Sequence, residues 1–256
     1  MFRSAGQKIG AHTLVALFVM AVPLFLIASS VTWAVNDLRL YRHGFDKYDI
    51  SGVTGIERDG LMAAARQIRG YFNSTREPLE VRARVFGEER ELFNRREVLH
   101  MRDVKRLIWG VYGVGASAAS YLLGFAGVGL LIQRWRHQPP FAHVLSRYVL
   151  WGSGLTLALV VLVGLIALVG FDSLFLLFHR VSFANDFWLL DPRRDYLVMM
   201  FPQGFWLDAT IFVALSTVAQ AVALGAMAGG FLALWRWRGR RRQAPLLEQP
   251  SKAAEL

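Results

Sequence analysis

The sequence predicts an α-helical membrane protein with four transmembrane helices and an extracytoplasmic, mostly helical globular domain that contains a short β element. Of its 256 residues, 54% are hydrophobic, and the mean hydropathy is +0.35. Four apolar stretches each exceed the ~20 residues that a helix needs to cross ~30 Å of hydrocarbon. None of them alternates apolar and polar residues as a barrel strand does, so each must satisfy its backbone hydrogen bonds as a helix.

The four stretches define the predicted transmembrane helices. They are residues 11–35, 107–133, 148–171 and 207–235. The first three contain no Asp, Glu, Lys or Arg, and the fourth contains only Asp208, near its start. The first stretch has small residues at Ala28 and Ser30 that resemble a signal-peptide cleavage site. Its uncharged run is longer than the ~7–15 residues of a signal-peptide core, so we predict a retained helix.

The distribution of charge predicts the orientation. The loop 134–147 has three arginines and no acid, and the tail 236–256 has five arginines and one lysine. By the positive-inside rule, this loop and both termini are cytoplasmic, and residues 36–106 and 172–206 lie outside. Almost all of the net charge of +10 then lies on the cytoplasmic segments, where it faces anionic lipid headgroups, so we expect membrane lipids rather than nucleic acid as partners. The absence of cysteine excludes disulfides and thiolate catalysis.

The outer segment 36–106 has the patterns of an ordered domain. Residues 54–72 place apolar side chains on one helical face, and Thr54 with Glu57 predicts a capping box at the start of that helix. Residues 79–86 alternate apolar and charged positions, which predicts a short, half-exposed strand. The segment is therefore predicted to be mostly helical with one β element.

Two histidines are predicted to lie at the outer membrane boundary. From Glu88 the sequence is helical in pattern, without Pro or Gly, into the second span, so His100 lies on a helix about two turns before the membrane. The segment 172–206 is rich in Phe, Leu and Trp but interrupted by polar residues, which predicts an interfacial loop. His179 follows an apolar run near its start. Both imidazoles are thus predicted to be shielded from bulk water and able to transfer protons near neutral pH.

Three motifs surround the two histidines. They are Glu-x-x-His-Met-x-Asp-Val-Lys at 97–105, Phe-His-x-x-x-Phe at 178–183, and the Asn-Asp-x-Trp-x-Leu-Asp-Pro-Arg pattern that follows. These motifs give the chain a resemblance to the lipoprotein intramolecular transacylase (Lit) family of four-helix bacterial membrane proteins. It implies transfer of the sn-2 O-acyl chain of a diacylglyceryl-modified cysteine to the α-amine of that N-terminal cysteine, which gives a lyso-form lipoprotein. It also implies that His100 and His179 are catalytic, at the outer face of the bacterial cytoplasmic membrane.

The same resemblance implies further residues and partners. The partner would be the diacylated N-terminus of a lipoprotein, and the reaction requires neither a metal nor a cofactor. Supporting or substrate-binding roles fall on Glu97, Asp103, Asn185, Trp188 and Asp191.

Imidazole chemistry suits such a transfer. The attacking amine must lose a proton, the oxyanion needs stabilisation, and the leaving glyceryl oxygen needs a proton. Because nucleophile and ester belong to one molecule, orientation supplies much of the rate. His179 follows an apolar run, which favours the neutral base, whereas charged neighbours of His100 favour an imidazolium acid.

Two alternatives from other classes remain open at this point. Two histidines at one membrane face are also an arrangement for the axial ligands of a b-type haem, which would make the chain an electron carrier. The outer domain would otherwise be a binding or assembly module without chemistry. Soret absorbance would indicate the first, and full function after loss of both histidines would indicate the second.

Overall fold

The computed structural model describes residues 5–136 and 141–247. The predicted cytoplasmic loop and basic tail therefore lie partly outside the described residues. Four long helices carry the predicted spans. They are α1 (Ala5–Asn36), α5 (Arg95–Arg136), α6 (Phe141–Ser182) and α8 (Gln203–Leu247). Within the described residues these four are long and apolar enough to cross a membrane, which confirms the predicted fold class.

The chain divides into two compact units. The first takes the described residues of Met1–Leu24, Ala118–Ala158 and Val218–Leu256, and the second takes Phe25–Ser117 and Leu159–Thr217. In the first unit, the rings of Phe18 and Phe125 lie 4.8 Å apart. Gly152 packs so closely on Val22 that a Cβ atom at Gly152 would lie 2.6 Å from the valine side chain. Small residues allow helices in membranes to approach in this way.

The second unit contains the domain formed by residues 36–106 and both histidines. Between α1 and α5 the chain forms α2 (Leu38–Lys47), α3 (Ile50–Thr54), α4 (Arg58–Phe72), β1 (Arg82–Val85) and β2 (Glu88–Glu91). The short helix α7 (Tyr196–Met200) precedes α8. The domain core is apolar and fully buried, because the inward faces of α3, α4 and α7 meet there. The side chains at its centre, with at most 1% exposure, include Ile50, Ile56, Leu61, Ile68 and Met200.

The predicted capping box at Thr54 and Glu57 is wrong. Thr54 ends α3, and its hydroxyl donates to the carbonyl of Ile50 at 2.6 Å. Gly55 follows with a φ of 68°, a left-handed conformation that terminates the helix. The next helix, α4, begins at Arg58, and Glu57 makes no capping hydrogen bond with its side chain.

The helix predicted from Glu88 is also wrong over its first residues. Glu88–Glu91 forms β2, which pairs antiparallel with β1, and α5 begins at Arg95. Phe86 and Gly87 both have positive φ, 51° and 88°, and such a two-residue turn reverses the chain into a hairpin. Opposite charges then face each other across the strands and stabilise them. The predicted strand is confirmed over Arg82–Val85, and the predicted helical position of His100 is confirmed within α5.

The segment 172–206, predicted to be a loop, begins with the last turns of α6. The backbone leaves helical geometry at Gly170, with φ −171° and ψ 79°, and then resumes a helix as far as Ser182. Aromatic rings spaced four residues apart support these turns, since the rings of Phe175 and His179 lie 4.3 Å apart. His179 is consequently held on a helix.

Candidate active site

The structure brings the two predicted histidines side by side. His100 on α5 and His179 on α6 are each 8% exposed. Their ring centroids lie 6.1 Å apart with an angle of 30° between the planes. The two predicted imidazoles thus lie at one site. A single substrate group between two rings at this separation can exchange a proton with either.

The backbone of α6 fixes the protonation pattern of the His179 ring. Its Nδ1 atom lies 2.8 Å from the carbonyl oxygen of Phe175, one helical turn earlier. A carbonyl oxygen can only accept, so Nδ1 carries the proton and donates it to this bond. In the neutral imidazole, Nε2 is then the acceptor. His179 is thus held in the tautomer of a base that acts through Nε2.

The His100 ring has a different environment. Its Nδ1 atom is buried and has no hydrogen-bond partner among the described residues. The Phe183 ring packs edge-on against it at 5.0 Å. Buried polar atoms in folded proteins are nearly always bonded, so such an atom at a candidate site marks a position where a ligand group can bind.

Aromatic rings surround His179. They approach its ring centroid to between 4.3 and 5.6 Å and belong to Phe175, Phe178, Phe183 and Trp188. Such an enclosure excludes water, and hydrogen bonds and charges act more strongly inside it. Trp188, which the sequence singled out, contacts His179 at 5.1 Å. The enclosure thus favours chemistry that hydrolysis would otherwise compete with.

A hydrogen bond between side chains distant in sequence ties α5 to residues 183–195. The Asn185 amide donates to Oδ2 of Asp103 at 2.8 Å. Its own Oδ1 accepts from the backbone N–H of Phe187 at 3.1 Å. Asp103 and Asn185, both candidates from the sequence, are thus hydrogen-bonded to each other. This bond holds the segment that contains Trp188 beside α5.

Glu97 caps two helices. It is 1% exposed. Its Oε2 accepts from the N–H of Asn94 at 2.7 Å, while Asn94 Oδ1 accepts from the N–H of Glu97 at 3.2 Å. This reciprocal pair is a capping box at the start of α5. Glu97 Oε1 accepts from the N–H of Leu197 in α7, also at 2.7 Å. Backbone amides thus occupy both carboxylate oxygens.

Sequence reasoning missed Asp195 and Asn94. Asp195 is 3% exposed. It accepts from the Asn94 amide at 2.9 Å and from the N–H of Asp191 at 2.7 Å. Asp191 itself accepts from the N–H of Arg193 and closes a local turn. The Asn-x-x-Glu capping signal before α5 was present in the sequence, but nothing local pointed to the contact with Asp195.

The surroundings of the imidazoles do not suit a haem. Phe183 lies 5.0 Å from His100 and 5.6 Å from His179. Its ring occupies the space beside the pair that a porphyrin would need.

Burial lowers the pKa of both imidazoles, and with the neighbouring His179 it lowers the pKa of His100 to about 4. Both rings are therefore neutral near neutral pH, contrary to the imidazolium predicted at His100, and neutral imidazoles can accept and relay protons.

Comparison with known proteins gives two matches in sequence. The profile of the family described as "Lipoprotein intramolecular transacylase Lit" matches residues 16–206. An uncharacterized protein of Aquifex aeolicus is 28% identical over 123 residues, which cover 48% of this chain and 50% of that protein. The chain therefore spans about half the length of that curated relative.

Solved structures share the fold. The membrane integral lipoprotein intramolecular transacylase Lit from Bacillus cereus superposes with a TM-score of 0.70 at 17% identity, over 91% of this chain and 97% of that chain. A variant of that protein with one histidine replaced by alanine gives a TM-score of 0.72 at 18% identity, over 90% of this chain and 97% of the other. At 17–18% sequence identity, this similarity establishes a shared fold and nothing more.

Proposed function

The chain belongs to the lipoprotein intramolecular transacylase (Lit) family, and we propose that it moves the sn-2 O-acyl chain of a diacylglyceryl-modified lipoprotein onto the α-amine of the N-terminal cysteine. The product is a lyso-form lipoprotein. The observation that carries the proposal is the pair His100 and His179, 6.1 Å apart and enclosed by aromatic rings. Family membership supports the reaction class, and the imidazole pair supports acid–base catalysis.

The two histidines divide the proton transfers. The amine nitrogen attacks the ester carbonyl carbon, and His179 accepts an amine proton at Nε2, since its Nδ1 donates to Phe175. Neutral His100 donates a hydrogen bond to the oxyanion and relays the proton accepted by His179 to the glyceryl oxygen as the C–O bond breaks. One C–N bond forms and one C–O bond breaks, so the proton removed from the amine balances the proton gained by the alcohol.

The supporting residues set the geometry of this pair. Asp103 and Asn185 join α5 to residues 183–195, and Trp188 packs on His179. Glu97 caps α5 and holds α7 beside it, and Asp191 shapes the turn that precedes α7. Because nucleophile and ester belong to one substrate, an enclosure that holds them in contact makes the reaction unimolecular.

The location follows from the charge pattern. Both termini face the cytoplasm, and the histidines lie at the outer face of the bacterial cytoplasmic membrane, where the substrate's ester lies near the headgroups. The partners are the diacylated N-terminus of a lipoprotein and the surrounding membrane lipids. The acyl chains can stay in hydrocarbon while the ester and amine meet at the histidines.

The test uses purified full-length protein in lipid vesicles with a synthetic diacylglyceryl-cysteinyl peptide. Substrate and product have equal mass, so fragmentation in the mass spectrometer must locate the acyl chain on nitrogen. We expect the wild type to give the N-acyl product, and His100→Ala and His179→Ala to give none. His43→Ala is the matched control, because His43 is exposed on α2.

Two outcomes would contradict the proposal. Full acyl migration by both alanine variants would indicate a function without histidine catalysis. Soret absorbance that the two substitutions abolish, with no acyl migration by the wild type, would instead indicate a haem protein.

A further inference from the structure

Asp103 is an acid on the same face of α5 as His100. It follows His100 by three residues, a spacing that makes helical side chains neighbours. Its side chain is 14% exposed, and it forms an ion pair at 3.5 Å with Arg106, whose side chain is 70% exposed. A largely buried carboxylate needs close compensation. One long contact to a solvent-facing arginine supplies little of it, so this carboxylate can bind a further cation.

The carboxylate is also fixed in direction. Asn185 donates to its Oδ2 at 2.8 Å, and the same segment carries Trp188 against His179. Asp103 is therefore held between α5 and the segment that encloses the histidine pair. Arg106 donates to the other oxygen, Oδ1, at 3.5 Å. Each carboxylate oxygen can accept more than one hydrogen bond, so these two bonds leave acceptor capacity on both oxygens.

The other buried or part-buried acids of this region are already bonded. Backbone amides occupy both oxygens of Glu97. Asp195 accepts from Asn94 through one oxygen and from the N–H of Asp191 through the other. Asp191 accepts from the N–H of Arg193 and lies 3.9 Å from Arg194. Asp103 also accepts one bond at each oxygen, from Asn185 and Arg106. Its side chain is 14% exposed, however, whereas Glu97 and Asp195 are almost fully buried, so a ligand can reach this acid one helical turn from His100.

The substrate carries a cation, its α-ammonium group. An α-amine has a pKa of ~7.7–8.0 in water, so near neutral pH the N-terminal cysteine arrives mostly as an ammonium ion with three N–H donors. An enclosure of aromatic rings offers such an ion weak stabilisation through ring faces. A carboxylate beside the ring of His100 offers much more.

We propose that Asp103 binds the α-ammonium group of the substrate's N-terminal cysteine and thereby selects lipoproteins with a free N-terminus. This inference rests on the proposed function of the site. The ammonium passes one proton through His179 to solvent and becomes the attacking amine. A second proton leaves the nitrogen as the C–N bond forms and ends on the glyceryl oxygen.

The same contact provides a reason for product release. After transfer the nitrogen is a neutral amide with a single N–H, so it no longer forms an ion pair with Asp103. The substrate therefore binds through a charge that the product lacks. An N-terminus that is already acylated is a neutral amide, so it lacks this charge too and binds more weakly.

Binding is measured with two ligands that cannot react. Both are diacylglyceryl-cysteinyl peptides with an ether in place of the sn-2 ester; one has a free amine, and the other is N-acetylated. Each is titrated as a competitive inhibitor of the full-length enzyme in vesicles. We expect the wild type to bind the free-amine ligand more tightly, on the order of tenfold or more, as for a hydrogen-bonded charge.

Variants separate ammonium binding from a purely structural role. Asp103→Asn should abolish the preference between the two ligands. Asn185→Ala removes the bond to Asp103 but keeps the carboxylate, so it should lower the rate and retain the preference. Asp186→Asn, an exposed acid of the same segment, should change neither.

Three results would overturn the inference. They are equal binding of the two ligands by the wild type, a wild-type preference retained in Asp103→Asn, and equal loss of preference in Asn185→Ala. If Asp103→Asn does not fold, the wild type is titrated with both ligands across a range of pH. Its preference for the free-amine ligand must disappear as the pH rises past the pKa of that ligand's amine, and a preference that persists there would overturn the inference. Failure of the proposed function is seen separately, as absence of acyl migration with the ester substrate.

Discussion

Two buried basic side chains of α5, His100 and Lys105, lie less than two turns apart and have opposite surroundings. Lys105 is 5% exposed. Its Nζ donates to the carbonyl of Arg76 at 2.6 Å and to Glu77 at 3.2 Å, and it lies 4.0 Å from the ring centroid of Tyr71. His100 is 8% exposed, yet its Nδ1 has no partner among the described residues.

This comparison distinguishes a buried polar side chain with a structural role, Lys105, from one that is available for catalysis, His100. A buried charge that is fully bonded fixes the position of its helix, and here Lys105 attaches α5 to the segment after α4. A buried imidazole without a bond at Nδ1 lowers stability instead, and active sites retain such groups because the substrate supplies the missing partner. One helix thus carries an anchor on one face and a reactive group on the other.

The largest expected effect is the loss of activity on removing the unbonded imidazole. His100→Leu should reduce acyl transfer on the order of 10²- to 10⁴-fold, the range for loss of a general acid or base. Its melting temperature should be unchanged or higher, because an apolar side chain replaces an unsatisfied buried atom. Rates by mass spectrometry and melting curves in detergent check both. A His100→Leu variant that is less stable than the wild type but still active would contradict this prediction.

Lys105→Met should have the opposite effects, lower stability and unchanged activity. Loss of its bonds to Arg76 and Glu77 should lower the unfolding free energy by about 1.5–3 kcal/mol, the range for hydrogen bonds to charged groups, while activity per folded molecule stays near wild type. Arg66→Met on the exposed face of α4 is the matched control and should leave the melting curve unchanged. Normal stability with lost acyl transfer would give Lys105 a catalytic role instead.

Trp188 tests how much the aromatic enclosure contributes. Trp188→Ala should reduce the rate about 10- to 100-fold, since water enters beside His179 and the substrate loses orientation. Trp188→Phe should recover most of the rate because it restores the apolar surface. Measuring hydrolysed fatty acid alongside the N-acyl product sharpens the result, as the alanine variant should release more free acid. An unchanged ratio of the two products would argue against water exclusion.

The smallest effect is expected at Tyr71. Burial, together with the neighbouring Glu77, raises the pKa of Tyr71, so its hydroxyl remains a donor to Glu77, at 2.7 Å, throughout the neutral range. Tyr71→Phe should cost about 0.5–1.5 kcal/mol of unfolding free energy and leave acyl transfer unchanged. Chemical or thermal unfolding measures the first and the vesicle assay the second. A loss of stability that appears only above neutral pH would contradict the assigned donor role.

The spans and the helix of His100 could be predicted because their signals are local. Uncharged runs longer than the hydrocarbon thickness identify transmembrane helices without any tertiary information. The helical pattern into the second span placed His100 on α5. The apolar run before His179 placed it at the same predicted membrane boundary, the family motifs included both histidines, and the structure brings the two rings together.

The errors lie where distant or turn-specific contacts decide the structure. Residues 88–91 have the charge pattern of a helix, but the turn at Phe86 and Gly87 directs them into a strand. The contact between Asn94 and Asp195 joins residues about a hundred positions apart, and no periodicity in the sequence reports it. The tautomer of His179 depends on the carbonyl of Phe175, which only the coordinates of α6 reveal.

The central claim, that His100 and His179 act as one acid–base pair, is tested most directly by a double-mutant cycle. The rates of His100→Gln, His179→Gln and the double variant are compared in the same vesicles with the same ester substrate. Residues that act in one transition state give strongly non-additive effects, so the account predicts a double variant no slower than about the slower single variant. If the two single losses multiply in the double variant, or if either single variant retains near-normal acyl migration, the two histidines do not act as a pair.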